Sequence, residues 1–138
     1  MSCLLLALAL LAATPAGAAE DPFWMRDWTF GAVSGPPGPR ALLARTGVRH
    51  LALRREGLTD PLGESCAAEV GYDDIRPRDR GAIARHFGPH WRFPAVLDTP
   101  GTVAGWVRCG DVNAVAVAFM RPGLGYRFFE DGLVIALR

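Results

Sequence analysis

Apolar positions along this chain follow three patterns: an unbroken run at the start, a helical spacing near the middle, and two-residue alternation over most of the rest. Alternation sends successive side chains to opposite faces of a strand, whereas a spacing of three or four keeps them on one side of a helix. Residues 28–33 read as a short strand, stopped by Ser34-Gly35-Pro36-Pro37-Gly38-Pro39, which cannot continue a hydrogen-bonded ladder. Pro39 opens a short helical turn over 40–45, closed by Gly47. Residues 48–55 form a strand with Leu51 and Leu53 on one face, and 65–72 a second with Cys66, Ala68, Val70 and Tyr72 on one face.

Asp79 has the character of an N-cap and Gly88-Pro89 that of a stop, so the main helix is expected over 80–87. Its Ile83 and Phe87 are four apart and face a sheet. Strands return over 102–109, 112–120, 125–129 and 133–137. In 112–120, Val115, Val117 and Phe119 share one face while Ala114, Ala116 and Ala118 share the other. Both faces read as buried, the alanine face against a neighbour that comes close. Asp131-Gly132 between two apolar segments is a hairpin signal. The expected fold is therefore mainly β (α+β): a small antiparallel β-barrel or curved sheet of about six or seven strands, with one inserted helix.

The opening run, 4–13, is too short for a bilayer, which needs roughly 20 apolar residues in a helix. Thr14, Pro15 and Gly17 break it, and the small residues Ala16-Gly17-Ala18-Ala19 suit a signal peptidase. Residues 1–19 thus read as a cleavable signal peptide, though Met1-Ser2-Cys3 lacks the usual Lys or Arg. Residues 20–138 then form a single small β-rich domain, placed in the periplasm or outside a bacterial cell. A net charge of +1 excludes the strong field that nucleic acid or an anionic membrane selects. Every basic residue is Arg, the mark of a GC-rich genome. Removing the leader takes Cys3 with it and leaves Cys66 and Cys109, an even pair that reads as a disulfide in an exported protein.

Catalytic patterns are sparse. His86 and His90 are four apart, but Gly88 and Pro89 between them end the helix that would aim both at one metal. Ser34 and Ser65 lie outside a Gly-x-Ser-x-Gly elbow. Asp73, Asp74 and Asp79 cluster ahead of the helix, but Arg76, Arg78 and Arg80 make the stretch an ion-pair face. No catalytic residue, metal ligand or cofactor is assigned. Four tryptophans are many for this length. Trp28 and Trp106 alternate with buried positions and read as core. Trp24 and Trp91 lie in irregular polar stretches and, with Arg85, His86, His90 and Arg92, make up the expected binding surface.

The arrangement Gly47-Val48, Pro61-Leu62, Cys66, Tyr72, Cys109-Gly110, Asp131-Gly132 and Leu137-Arg138 is similar to small uncharacterised exported proteins of GC-rich bacteria. In architecture the chain resembles compact periplasmic barrels of the lysozyme-inhibitor and lipocalin-like kind. It lacks the early Tyr-x-Cys strand of the C-type lysozyme inhibitors, so no inhibitory residue carries over. The sparse catalytic patterns and a small rigid scaffold with Arg and Trp available for contacts lead to the expectation of a non-enzymatic binding or accessory protein that inhibits or escorts another envelope or extracellular protein. A small apolar ligand held in the barrel interior is the alternative, and an enzyme using the Asp or His cluster the third. Neither nucleic acid nor stable membrane insertion is expected.

Overall fold

In the computed structural model, residues 19–138 are described; the expected leader lies outside them except for Ala19. Among the described residues there are nine strands, rather than six or seven, and two α-helices, the short turn expected over 40–45 being a full helix beside the one inserted helix. Strand β1 (Asp27–Ser34) leads through α1 (Pro37–Thr46) to β2 (His50–Arg54) and β3 (Gly57–Thr59). Two very short strands follow, β4 (Val70–Gly71) and β5 (Arg76–Pro77), then α2 (Arg80–Phe87) and a 3-10 turn, Ala95–Asp98. The chain ends in β6 (Val103–Cys109), β7 (Val112–Met120), β8 (Leu124–Phe128) and β9 (Val134–Leu137).

All pairings are antiparallel, in the spatial order β3-β2-β1-β9-β8-β7-β6-β4, with β5 also against β6. Strand β1 makes the corner. Asp27–Thr29 pairs with β2, the chain bulges between Phe30 and Val33, and the second half pairs with β9. The result is a nearly closed barrel.

The closure departs from the expected strand over 65–72. Only Cys66, bridged to Leu58, and Val70–Gly71, paired with β6, join the ladder. The segment must cross from β3 to β6 in a few residues, so it pairs at its two ends and runs free between them. Gly57 admits the crossing, because a Cβ there would lie 2.8 Å from the Cys66 carbonyl oxygen. The Cys66–Cys109 disulfide ties the crossing to the end of β6, and closing a loop of 43 residues stabilises the fold by about 4 kcal/mol in the chain-entropy model. Tyr72 adds a further tie: its hydroxyl donates to the Arg54 carbonyl at 2.8 Å, across the β2–β3 hairpin.

Two apolar clusters follow from strand alternation. Inside the barrel, Trp24, Trp28 and Phe119 stack among Leu51, Leu53, Val117 and Ile135. Gly125 leaves room for the Phe119 ring, which would lie 2.6 Å from a Cβ at that position. An apolar ligand in the interior would have to displace this stack. On the outer face, Ala104, Ala116 and Ala118 let α2 lie close, with Ile83 and Phe87 buried against them. Asp79 caps α2 by accepting from the Ala82 N–H at 2.7 Å, and Gly88 ends it at φ 109°. The second helix, α1, buries Leu43 of its ten residues.

Candidate functional site

The outer face around α2 carries most of the residues singled out from the sequence. Past Gly88 the chain has no regular structure until the 3-10 turn, and this strap (89–94) folds back over the helix. Two aromatic side chains hold it. Trp91 packs on Phe87 at 5.6 Å and edge-on to Trp106 at 5.6 Å, while Phe93 meets Phe128 at 5.1 Å. Arg80, on the first turn of α2, donates from Nε and Nη2 to the Phe93 carbonyl, at 3.2 and 3.1 Å. A planar guanidinium thus fixes the strap to the helix it follows.

The strap forms one wall of an open groove of about 610 Å³, whose other walls are α2 and the ends of β1 and β9. Gly81 and Ala84 give it depth on the helix side, and Trp91, Arg92 and Phe93 line it from the strap. A second groove of about 580 Å³ runs on between His90, Arg92 and the β8–β9 turn at Glu130, Asp131 and Gly132. Arg92 belongs to both. Its stem rests beside Gly132, where a Cβ would stand 3.7 Å from Arg92 Cγ. Among the described residues, the Arg92 guanidinium makes no ion pair or hydrogen bond.

Of the six expected surface residues, Trp91, Arg92 and His90 line these grooves. Arg85 is exposed on α2, its Nη1 folded back to 3.3 Å from the Cβ position of Gly81. His86 points elsewhere: its Nε2 lies 2.7 Å from Asp74 Oδ2. Trp24 does not belong to the surface at all. It is 7% exposed, packs between Phe119 and Tyr72 in the barrel, and accepts the Trp28 indole N–H on its carbonyl. Its polar sequence neighbours hide it because its partners come from β7 and the closing segment. Trp106 is half-buried in the outer aromatic cluster, with Phe93 and Tyr126. Arg80 and Phe93 complete the strap's attachment, and nothing in their spacing announced it.

The carboxylate cluster resolves into three separate structural tasks. Asp79 caps α2, and Asp73 pairs with Arg108 at 2.6 Å on the surface. Asp74 guards the edge of β6. Strands β4 and β5 cover the two ends of that edge, and between them the Trp106 N–H donates to Asp74 Oδ2 at 2.7 Å. An edge amide that would otherwise await a foreign strand is thereby satisfied. Gly105 permits the approach, because a Cβ there would lie 2.1 Å from the Asp74 carbonyl oxygen. Arg78 reaches Asp74 Oδ1 at 3.3 Å and also donates to the Asp74 and Ala104 carbonyls. Burial pushes the Asp74 carboxyl up, but the Trp106 amide, His86 and Arg78 outweigh it and hold the group below the ordinary carboxylate range.

No set of three or more His, Cys, Asp or Glu side chains able to hold a metal occurs among the described residues, and none of the described helices is long and apolar enough to cross a membrane. No protein-family model, curated protein or solved structure matches the chain.

Proposed function

We propose that this protein is an exported, non-enzymatic binding or accessory protein that inhibits or escorts another envelope or extracellular protein. The observation that carries the reading is the strap: Trp91 half-buried on an aromatic cluster, beside Arg92 with an uncommitted guanidinium, both lining one open groove. Aromatic and arginine side chains on a rigid base are the usual anchors of protein interfaces. The barrel below supplies the rigidity, through its stacked interior and the Cys66–Cys109 bond. The disulfide also fits an oxidising compartment.

Site-directed photo-cross-linking tests this. A photoreactive residue placed at His90, beside Arg92 in the adjoining groove, is expected to capture one envelope protein reproducibly. The same residue at Val112, exposed at the start of β7, is expected to capture none. Capture from neither position, or equally from both, overturns the assignment of this face.

A further inference from the structure

We infer that the groove between α2 and the strap receives a carboxylate-bearing, otherwise apolar segment of the partner, with Arg92 as the anchor for that carboxylate. The inference rests on the binding reading above and names the chemistry of the bound segment. Two arginines, Arg80 and Arg92, line this groove against one carboxylate, Asp98. Arg80 spends Nε and Nη2 on the Phe93 carbonyl, so it is held in place on the groove wall and adds its positive charge there. Arg92 has all its donors uncommitted among the described residues, and a guanidinium fork matches a carboxylate through two parallel hydrogen bonds.

The surroundings determine where the charge goes. The adjoining groove is lined by two carboxylates of the hairpin turn, Glu130 and Asp131, together with Arg92 and His90. A ligand carboxylate is repelled there and confined to the side where Arg80 adds to Arg92. Trp91 and Phe93 offer aromatic walls, and Gly81 and Ala84 leave depth, for the apolar side chains flanking that carboxylate. The groove is open along its length, which suits an extended segment better than an enclosed small molecule.

The test is an NMR titration of the disulfide-bonded protein, following the Trp91 indole and Arg92 side-chain signals. The probes are a capped hexapeptide with one Glu between Leu and Phe, its Gln counterpart, and acetate. The Glu peptide is expected to shift both signals and to bind about tenfold more tightly than the Gln peptide. Arg92→Gln is expected to erase that difference without changing Tm. Equal binding of the two peptides, or no shift from either at about 5 mM, overturns the inference. So does acetate moving the signals as far as the Glu peptide, which would mark a free-anion site. If His90 still cross-links a partner while the peptides fail, the segment chemistry alone is wrong. If cross-linking fails as well, the binding reading falls with it.

Discussion

Phe119 occupies the space that Gly125 leaves vacant across the β7–β8 pair, directly opposite it in the register. A methyl group at 125 would stand 2.6 Å from ring Cδ1 and 3.2 Å from the Ala118 carbonyl oxygen. The ring cannot retreat, because Trp24 stacks on it at 5.9 Å and Trp28 at 5.1 Å. Gly125→Ala is therefore expected to destabilise by about 1–3 kcal/mol through overpacking, despite the better strand propensity of alanine. Urea unfolding of the variant against the native protein checks it, and an unchanged or higher midpoint would show that the ring has room to move aside.

Asp60 and Arg127 form a bidentate pair in the barrel end, 1% and 2% exposed, with Asp60 Oδ2 2.6 Å from Nη2. Asp60 also accepts from the Leu62 N–H and closes the loop over 60–65 through Ser65. Arg127 Nε has no partner, although the guanidinium lies over the Phe129 ring at 4.5 Å. Removing one charge strands the other, so Asp60→Ala is expected to cost about 3–5 kcal/mol. The double change Asp60→Leu with Arg127→Met removes both charges and is expected to recover most of that loss. Urea unfolding of the double variant and of its two component changes, Asp60→Leu and Arg127→Met, closes the cycle that measures it. Additive losses would show that the pair acts through something other than charge compensation.

What could be read from the sequence and what could not divide on physical grounds. Residues 80–87 were legible as a helix because cap, apolar spacing and stop signal all lie within ten residues of one another and act locally. The alanine face of β7 announced a close neighbour, since only short side chains leave a helix room beside a sheet. The disulfide followed from cysteine parity once the leader was set aside. Strands β3 and β5 were missed, and β4 was drawn too long over 65–72, because two or three residues carry no period and their pairing depends on β2 and β6 elsewhere in the chain. Trp24 was misplaced for the same reason. Of the site, Trp91, Arg92 and His90 were legible as a cluster in sequence, whereas the Arg80–Phe93 tether and the diversion of His86 to Asp74 exist only in three dimensions.

The Tyr72 hydroxyl spans the barrel closure, donating to Arg54 at 2.8 Å and lying 3.3 Å from the Gly57 carbonyl oxygen. Burial pushes its pKa up to about 12, above the ordinary tyrosine value. The unfolded chain therefore loses this proton at lower pH than the native one. The stability that Tyr72 contributes is fully present below about pH 10 and is lost as pH rises toward 12. Tyr72→Phe is expected to cost about 1 kcal/mol at pH 8 and to flatten this alkaline decline. Urea midpoints across pH 8–12 for the two proteins decide it; parallel curves would mean that Tyr72 does not titrate with unfolding.

Asp74 supplies the corresponding dependence on the acid side. Its carboxylate accepts from Trp106 and Arg78 and lies 2.7 Å from His86 Nε2, and its pKa is held below the ordinary value. A depressed carboxyl contributes stability that is present above its unfolded pKa and is lost as pH falls through the folded one. In Asp74→Asn the amide oxygen still accepts the Trp106 N–H, so the β6 edge stays covered while the charge facing Arg78 and His86 disappears. The variant is expected to fall below the native protein at pH 6, and the gap to close as pH drops below the ordinary Asp value near 4. Asp74→Ala, which also uncovers the edge amide, is expected to remain less stable at every pH and to self-associate through the exposed strand. Thermal unfolding with light scattering from pH 3 to 7 separates the two effects. An Asn variant whose deficit is as large at pH 3 as at pH 6 would show that Asp74 acts through shape and hydrogen bonding rather than charge.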